Sequence, residues 1–475
     1  MAQRRKRNIL TEPFVTFLLS ISVAAICVIC LSSDYLLARV FCVKDLASSY
    51  ELPICGVLLL VCFSLFKVNS LALVLSPIGS RKFWLAFLVL ICLINCLCNA
   101  TFSLSGYSSF VLGGVLLAKW TNTCVYLQAK HRHFNFCVCV GFVSIITILI
   151  AGVWCRFPLG LIFQYGDNIR WSGMWGDPNI FGALMAVGCV LILGALILTN
   201  MDINEDRNFC GRPAGAINRL FETHFFFKTA LLAFAGGCLF VGLLKSYSRG
   251  AWLGVVCGTV YLIRLCVITF ILKENHKSFQ ILSALAQCSI HSCEPWKWFR
   301  RNSLPLVVII LSFGIFSWKY LIASKWDLMH RALSVANAND FSWRNRVVAW
   351  QADLQVIAEN CWFGTSWSHA DLICEDYYTP SKLNESINFQ INDYFVLGTT
   401  LGVPALFCFG MYLWLSLKEN SHSGISNPEQ RKVNWLQATC RAGAIVLLVD
   451  FWFDGGLFKL AMASTFWALL ELGNV

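Results

Sequence analysis

Asp177-Pro-Asn-Ile-Phe-Gly-Ala-Leu-Met-Ala-Val-Gly-Cys-Val-Leu-Ile-Leu-Gly-Ala-Leu-Ile-Leu-Thr199 carries no charged side chain after its first residue. Wound as a helix, it reaches across the roughly 30 Å hydrocarbon core of a bilayer. Asp177 and Pro178 stand where a helix start favours a capping carboxylate and a residue without an N–H. Comparable runs recur along the chain, at 13–32, 52–66, 84–104, 108–128, 135–155, 177–199, 226–244, 250–272, 304–323, 390–416, 437–453 and 457–473. The fold expected is therefore all-α, a polytopic membrane bundle of about 12 transmembrane helices.

Composition agrees with that reading. Of 475 residues, 57% are apolar and only 13% charged, against roughly 25% charged in soluble domains. Mean hydropathy is +0.64. A soluble enzyme, a disulfide-rich secreted scaffold and a disordered chain are excluded. The 23 cysteines fall mostly inside apolar runs, as Cys27, Cys30, Cys92, Cys96 and Cys98 do, where a thiol packs as a small hydrophobe. Cys361 and Cys374 share a polar segment and could pair in an oxidising compartment.

The formal charge of +11 is spread between the apolar runs rather than gathered into one patch, so it points to membrane orientation and not to nucleic acid. With the N-terminus cytoplasmic, the inside segments hold 20 Lys and Arg and the short outside loops hold 6. Both termini are then expected in the cytoplasm. The first run follows Arg4, Arg5, Lys6 and Arg7 without a small-residue cleavage site, and reads as a retained helix.

Three regions follow: spans one to nine at 1–323, an extracytoplasmic (periplasmic) loop at 324–389, and spans ten to twelve at 390–475. Loops of that length are usually functional. Within it, Trp343, Val347, Trp350, Leu354 and Ile357 form one amphipathic stripe, with Ser342 as the expected N-cap. Such a helix lies on the membrane surface, or covers a site at the outer face, or both. The basic stretch 273–303 reads as a surface-lying segment on the other side.

Three arginines stand at the outer boundary in this topology: Arg170, Arg249 within Ser246-Tyr-Ser-Arg-Gly-Ala, and Arg346 on the loop helix. A guanidinium keeps its charge and its forked donors match a pair of phosphate oxygens. Singly, each reads first as an interfacial anchor that snorkels to head groups; together they suit a lipid-linked diphosphate. Gly250 allows a tight turn and close backbone approach. Lys119, Arg264, Arg441 and Asp450 lie within or near apolar runs, where charge is costly. Arg264 and Arg441 are near enough to the cytoplasmic ends to snorkel, and Lys119 and Asp450 are a possible pair.

The ordered set of motifs resembles the bacterial O-antigen ligase and polymerase family of membrane glycosyltransferases. It consists of Arg170 through Pro178-Asn179, then Ser248-Arg-Gly-Ala251, then the Arg346-x-x-x-Trp350 helix. Phe363-Gly-Thr-Ser-Trp367 follows, and last come Asn392-Asp-Tyr394 and Leu401-Gly-Val403. The likeness covers roughly residues 165–416. It implies an O-antigen ligase-type enzyme of the bacterial inner membrane. Such an enzyme moves a glycan from undecaprenyl diphosphate to an acceptor hydroxyl on lipid A-core or a related glycan, at the outer face. Polymerases and protein O-oligosaccharyltransferases of the same family remain alternatives, and a non-enzymatic glycan-lipid transporter is the rival from another class. The resemblance requires neither metal nor cofactor, and its partners are the lipid-linked donor, the acceptor and membrane lipids.

By the same resemblance, Arg170, Arg249 and Arg346 bind the diphosphate, with Arg344 in reserve. The family places His before the Asn of Asn392-Asp393, where this chain has Ile391. Asp393, beside Asn392, is then the nearest candidate for the catalytic base, and a helix cap is the other reading of it.

Overall fold

The computed structural model describes residues 81–98, 163–165, 168–209, 216–284, 341–365, 392–418 and 428–474, together with Ile146, Leu149, Ile150, Val153 and Arg331. The expected spans at 13–32, 52–66, 108–128 and 304–323, most of 135–155, Lys119 and Cys374 lie outside these residues. Helix accounts for 85% of what is described, which bears out the helical class. One small departure is an antiparallel pair, β1 (Phe163–Tyr165) with β2 (Asn168–Arg170), in the register Phe163 to Arg170.

The helices are α1 (Arg81–Cys98), α2 (Pro178–Phe209), α3 (Ala216–Ser246), α4 (Arg249–Ala284), α5 (Phe341–Glu359), α6 (Asp393–Leu401), α7 (Val403–Leu417), α8 (Pro428–Phe453) and α9 (Leu460–Leu472). Among the described residues, four stretches are long and apolar enough to cross a membrane: Pro178–Thr199, Lys228–Ser246, Arg249–Val267 and Asn434–Phe453. These match the expected sixth, seventh, eighth and eleventh spans. Residues 273–284, expected on the membrane surface, continue α4 instead.

α2 is the central post and packs on α3, α4 and α8. Its start follows the sequence closely: Asp177 Oδ1 accepts the Asn179 N–H at 2.7 Å, and Pro178 needs no partner. Phe181, Leu184, Met185, Val187 and Leu191 are buried along it. α4 approaches α8 through Gly250, Gly254 and Gly258, one glycine per turn. A Cβ at Gly254 would stand 2.7 Å from the Val446 carbonyl oxygen, and one at Gly258 3.0 Å from that of Ala442. Small residues at this spacing let helix backbones meet where lipid supplies no hydrophobic drive. The opposite face of α4 exposes Leu253, Val256, Val260, Ile263 and Val267, an apolar stripe suited to acyl chains.

The expected tenth span is not one helix. Gly402, at φ 85° and ψ 172°, separates the nine-residue α6 from α7. The expected twelfth span reduces to the 13 residues of α9 after a turn at 454–459. α1 packs on α7 and α6, and α9 on α8 and α7. At the end of the bundle where α1 begins and α9 finishes, Arg81 pairs with Glu471 at 3.1 Å and the Tyr412 hydroxyl donates to the same carboxylate. Arg441, expected to snorkel, is instead buried, with Nε donating to the Gly473 carbonyl at 2.8 Å. A cation at a helix C-terminus is favourably placed.

Candidate anion site

The other end of the bundle, where α2 and α4 begin and α3 and α8 finish, gathers the polar residues. Arg170 is delivered by β2. Its Nε donates to the Ser246 carbonyl at 2.8 Å and its Nη2 to Asn179 Oδ1 at 2.7 Å. The next residue, Trp171, donates its N–H to the Lys245 carbonyl at 2.9 Å. The hairpin is thereby fastened to the end of α3 and the start of α2.

Between α3 and α4 the chain turns at Tyr247, whose φ of 53° is unusual for a bulky residue. The turn is held by hydroxyls: Ser246 Oγ accepts the Ser248 N–H at 3.2 Å, and Ser248 Oγ accepts the Ala251 N–H at 3.3 Å. Ser248 thus caps α4. Gly250, expected to allow a tight turn and close backbone approach, is inside the first turn of α4. What it provides is close approach, since a Cβ there would be 2.7 Å from Asp450 Oδ1 and 3.0 Å from Asp454 Oδ2.

Asp454, just past α8, joins the elements. Its Oδ2 accepts the Ser248 hydroxyl at 3.0 Å. Its Oδ1 takes Nη2 of Arg346, whose Nε donates to the Phe453 carbonyl at 2.9 Å. α5 is docked by this contact onto the end of α8. Arg331 adds a fourth guanidinium, with Nε 3.3 Å from the Tyr247 carbonyl.

These charges act on one another. Burial first, and then the charge of Arg331, lower the Arg170 pKa to about 10; Arg249 acts in the same sense, and Asp454 and Asp177 oppose it. Arg170 therefore stays charged at neutral pH. Asp450 is fully buried one turn before Asp454, and both its carboxylate oxygens lack a hydrogen-bond partner among the described residues.

Asn392 and Asp393 divide roles differently from expectation. Asn392 is the cap of α6: its Oδ1 accepts the Tyr394 and Phe395 N–H groups at 3.0 and 3.2 Å. Asp393 is the first residue of the helix, and its Oδ2 accepts the Leu457 N–H at 2.7 Å, tying α6 to the turn that follows Asp454. Burial pushes the Asp393 carboxyl up to about 7, against the backbone donors of Leu457 and Gly456 and the charge of Lys459. Beside it, Trp350, Phe395, Tyr394 and Trp452 form a ring cluster with centroid separations from 5.7 to 6.2 Å.

Gly364 of one quoted motif lies against Leu401 of another, where a Cβ would stand 2.7 Å from the Leu401 nitrogen. The Thr365 N–H donates to the Thr399 carbonyl and the Val403 N–H to the Cys361 carbonyl, each at 2.8 Å. Gly364 and Gly402 face these junctions with φ of 65° and 85°. The segment after α5 is so clipped to the α6–α7 break.

Arg170, Arg249 and Arg346 are thus brought to one end of the bundle. Arg344 is exposed, two residues from Arg346 and on another side of α5. α5 begins at Phe341, so Ser342 lies inside the helix rather than capping it. Sequence reasoning missed Asp454 and Arg331. An acid followed by Gly455-Gly456 at the end of an apolar run was the available signal for the first; nothing local marked the second. No group of three or more His, Cys, Asp or Glu placed to hold a metal ion occurs among the described residues.

No curated protein matches the chain. A family model does: residues 234–410 match the one described as O-antigen ligase. That stretch contains Arg249, Arg331, Arg346, Asn392 and Asp393, while Arg170 and Asp454 reach the same place from outside it. The likeness to the O-antigen ligase family thus covers residues 234–410, in keeping with the resemblance carried by the motifs.

Proposed function

We propose that the protein transfers a glycan from undecaprenyl diphosphate to an acceptor hydroxyl at the outer face of a bacterial inner membrane, in the manner of an O-antigen ligase. The observation that carries this reading is the convergence of Arg170, Arg249 and Arg346 at one end of the bundle. In the reaction, the acceptor oxygen forms a bond to the anomeric carbon as the bond from that carbon to the diphosphate breaks. The diphosphate departs with the electron pair. Fixed cations aimed at that developing charge stabilise it without reorganising.

The acceptor hydroxyl loses its proton to a base, for which Asp393 is the proposal. Its carboxyl, pushed up to about 7, is close to the value at which a general base works best at neutral pH. Asn392 acts as a positioning residue, because its cap fixes the helix start that carries Asp393. Both termini lie in the cytoplasm on this reading. The test is transfer from a purified undecaprenyl-diphosphate glycan in nanodiscs, comparing the parent with Arg249→Ala, Arg346→Ala and Asp393→Asn. Loss of transfer in the two arginine variants, with monodisperse folded protein, supports the diphosphate site. Full transfer in both refutes it, and full transfer in Asp393→Asn moves the base elsewhere.

A further inference from the structure

Asp454 occupies a place built for an anion. Its Oδ1 takes the Arg346 guanidinium and its Oδ2 takes the Ser248 hydroxyl at 3.0 Å. Ser248 caps α4, so the carboxylate also lies at the N-terminal end of a 36-residue helix. Such an end carries partial positive charge and attracts anions. Gly250 lets the carboxylate approach, since a side chain there would begin 3.0 Å from Oδ2. The charge of Asp454 also bears on Arg170. A guanidinium, a hydroxyl, a helix start and bare backbone are the groups a phosphate oxygen would use in the same spot.

We infer that Asp454 is a displaceable stand-in for a phosphate of the donor, holding Arg346 in place while the site is empty and yielding it when the diphosphate arrives. The inference rests on the proposed diphosphate site and deepens it. A phosphate entering this spot exchanges with the carboxylate for Arg346 and the Ser248 hydroxyl. No covalent bond is made or broken. The stand-in keeps α5 docked between turnovers, and it taxes donor affinity by the fraction of time that it fills the site.

Inorganic pyrophosphate is the probe, titrated against the full-length protein in nanodiscs by calorimetry. Asp454→Asn keeps the shape and the hydroxyl contact but removes the competing charge, and is expected to bind pyrophosphate about tenfold more tightly than the parent. Asp454→Glu retains the charge and should stay within about twofold of the parent. Equal or weaker binding by a monodisperse Asp454→Asn overturns the stand-in, because a merely structural pin loses affinity when weakened. If Asp454→Asn does not fold, Asp454→Ser takes its place. It also removes the competing charge while leaving Arg346 and the Ser248 hydroxyl for the phosphate, and should tighten binding about threefold, while unchanged or weaker binding overturns the idea. Absence of binding in the parent as well as in Arg346→Ala points instead to failure of the diphosphate site itself, and with it of this inference.

Discussion

Replacing Gly402 by alanine should undock α5 while leaving the bundle intact. The backbone at Gly402, with φ 85° and ψ 172°, is in a region that side chains rarely enter, at a cost of about 1–3 kcal/mol. The added Cβ would also stand 2.6 Å from the Trp362 carbonyl oxygen, 2.7 Å from its carbon and 2.9 Å from the Cys361 oxygen. All three are backbone atoms, which cannot swing aside as a side-chain tip would. Overpacking of this kind adds about 1–3 kcal/mol. The total, about 2–6 kcal/mol, matches or exceeds the two backbone hydrogen bonds that close the clip, each worth about 1 kcal/mol net. The clip should therefore open rather than hold the strain, and α5 with Arg346 should loosen from α8. Hydrogen exchange resolved by peptide is the assay. Exchange should quicken in 341–365 in Gly402→Ala and stay unchanged in α2 and α4, and transfer should fall at least about tenfold, as expected when a positioning group is misplaced. Unchanged exchange in 341–365 together with full transfer would refute the reasoning.

Further outcomes follow from other sites. Asp353, buried on α5, is pushed up by burial to about 7 from an ordinary 3.8. Folding thus takes up a proton between those values: the stability is present below about 4 and is lost as pH rises through about 7, by at most about 4 kcal/mol. Asp353→Asn should flatten that slope and raise the pH 8 midpoint for release of α5, followed by the fluorescence of Trp343 and Trp350; an unaltered pH profile would count against it. Gly254→Val should push α4 from α8 and lower the thermal midpoint in detergent, at a cost of about 1–3 kcal/mol, whereas Leu253→Val on the exposed face should change it little. Asp393→Asn should reduce transfer by about 100-fold or more if that carboxylate is the base, and the pH–rate profile should lose its limb near 7.

How far the sequence reached is clearest at particular residues. Asp177-Pro178 was legible as a helix start because capping is a local event. The shared side of Arg170, Arg249 and Arg346 was legible because charge at the boundary of apolar runs follows topology. The break at Gly402 was not, since the apolar pattern runs straight across it, and what demands a glycine is its φ of 85° and the Cys361 and Trp362 backbone packed against it. Ser342 looked like a cap by type, but the helix begins one residue earlier. Asp454 was hidden for a different reason: its partners Arg346 and Ser248 lie 108 and 206 residues away. The glycines at 250, 254 and 258 were in plain view, spaced one turn apart, and would have predicted the close pairing of α4 with some helix, though not that the helix is α8.

The distance along the chain between Arg170 and Asp454 also bears on how the protein is made. The arginines of α4 and α5 leave the ribosome long before Asp450 and Asp454 do. Until α8 and the turn after it are made, the cationic end of the bundle has Asp177 but neither Asp450 nor Asp454, and Arg346 of α5 has no carboxylate to dock on. A chain stopped short of residue 450 thus leaves Arg170 and Arg346 without the charge of Asp454.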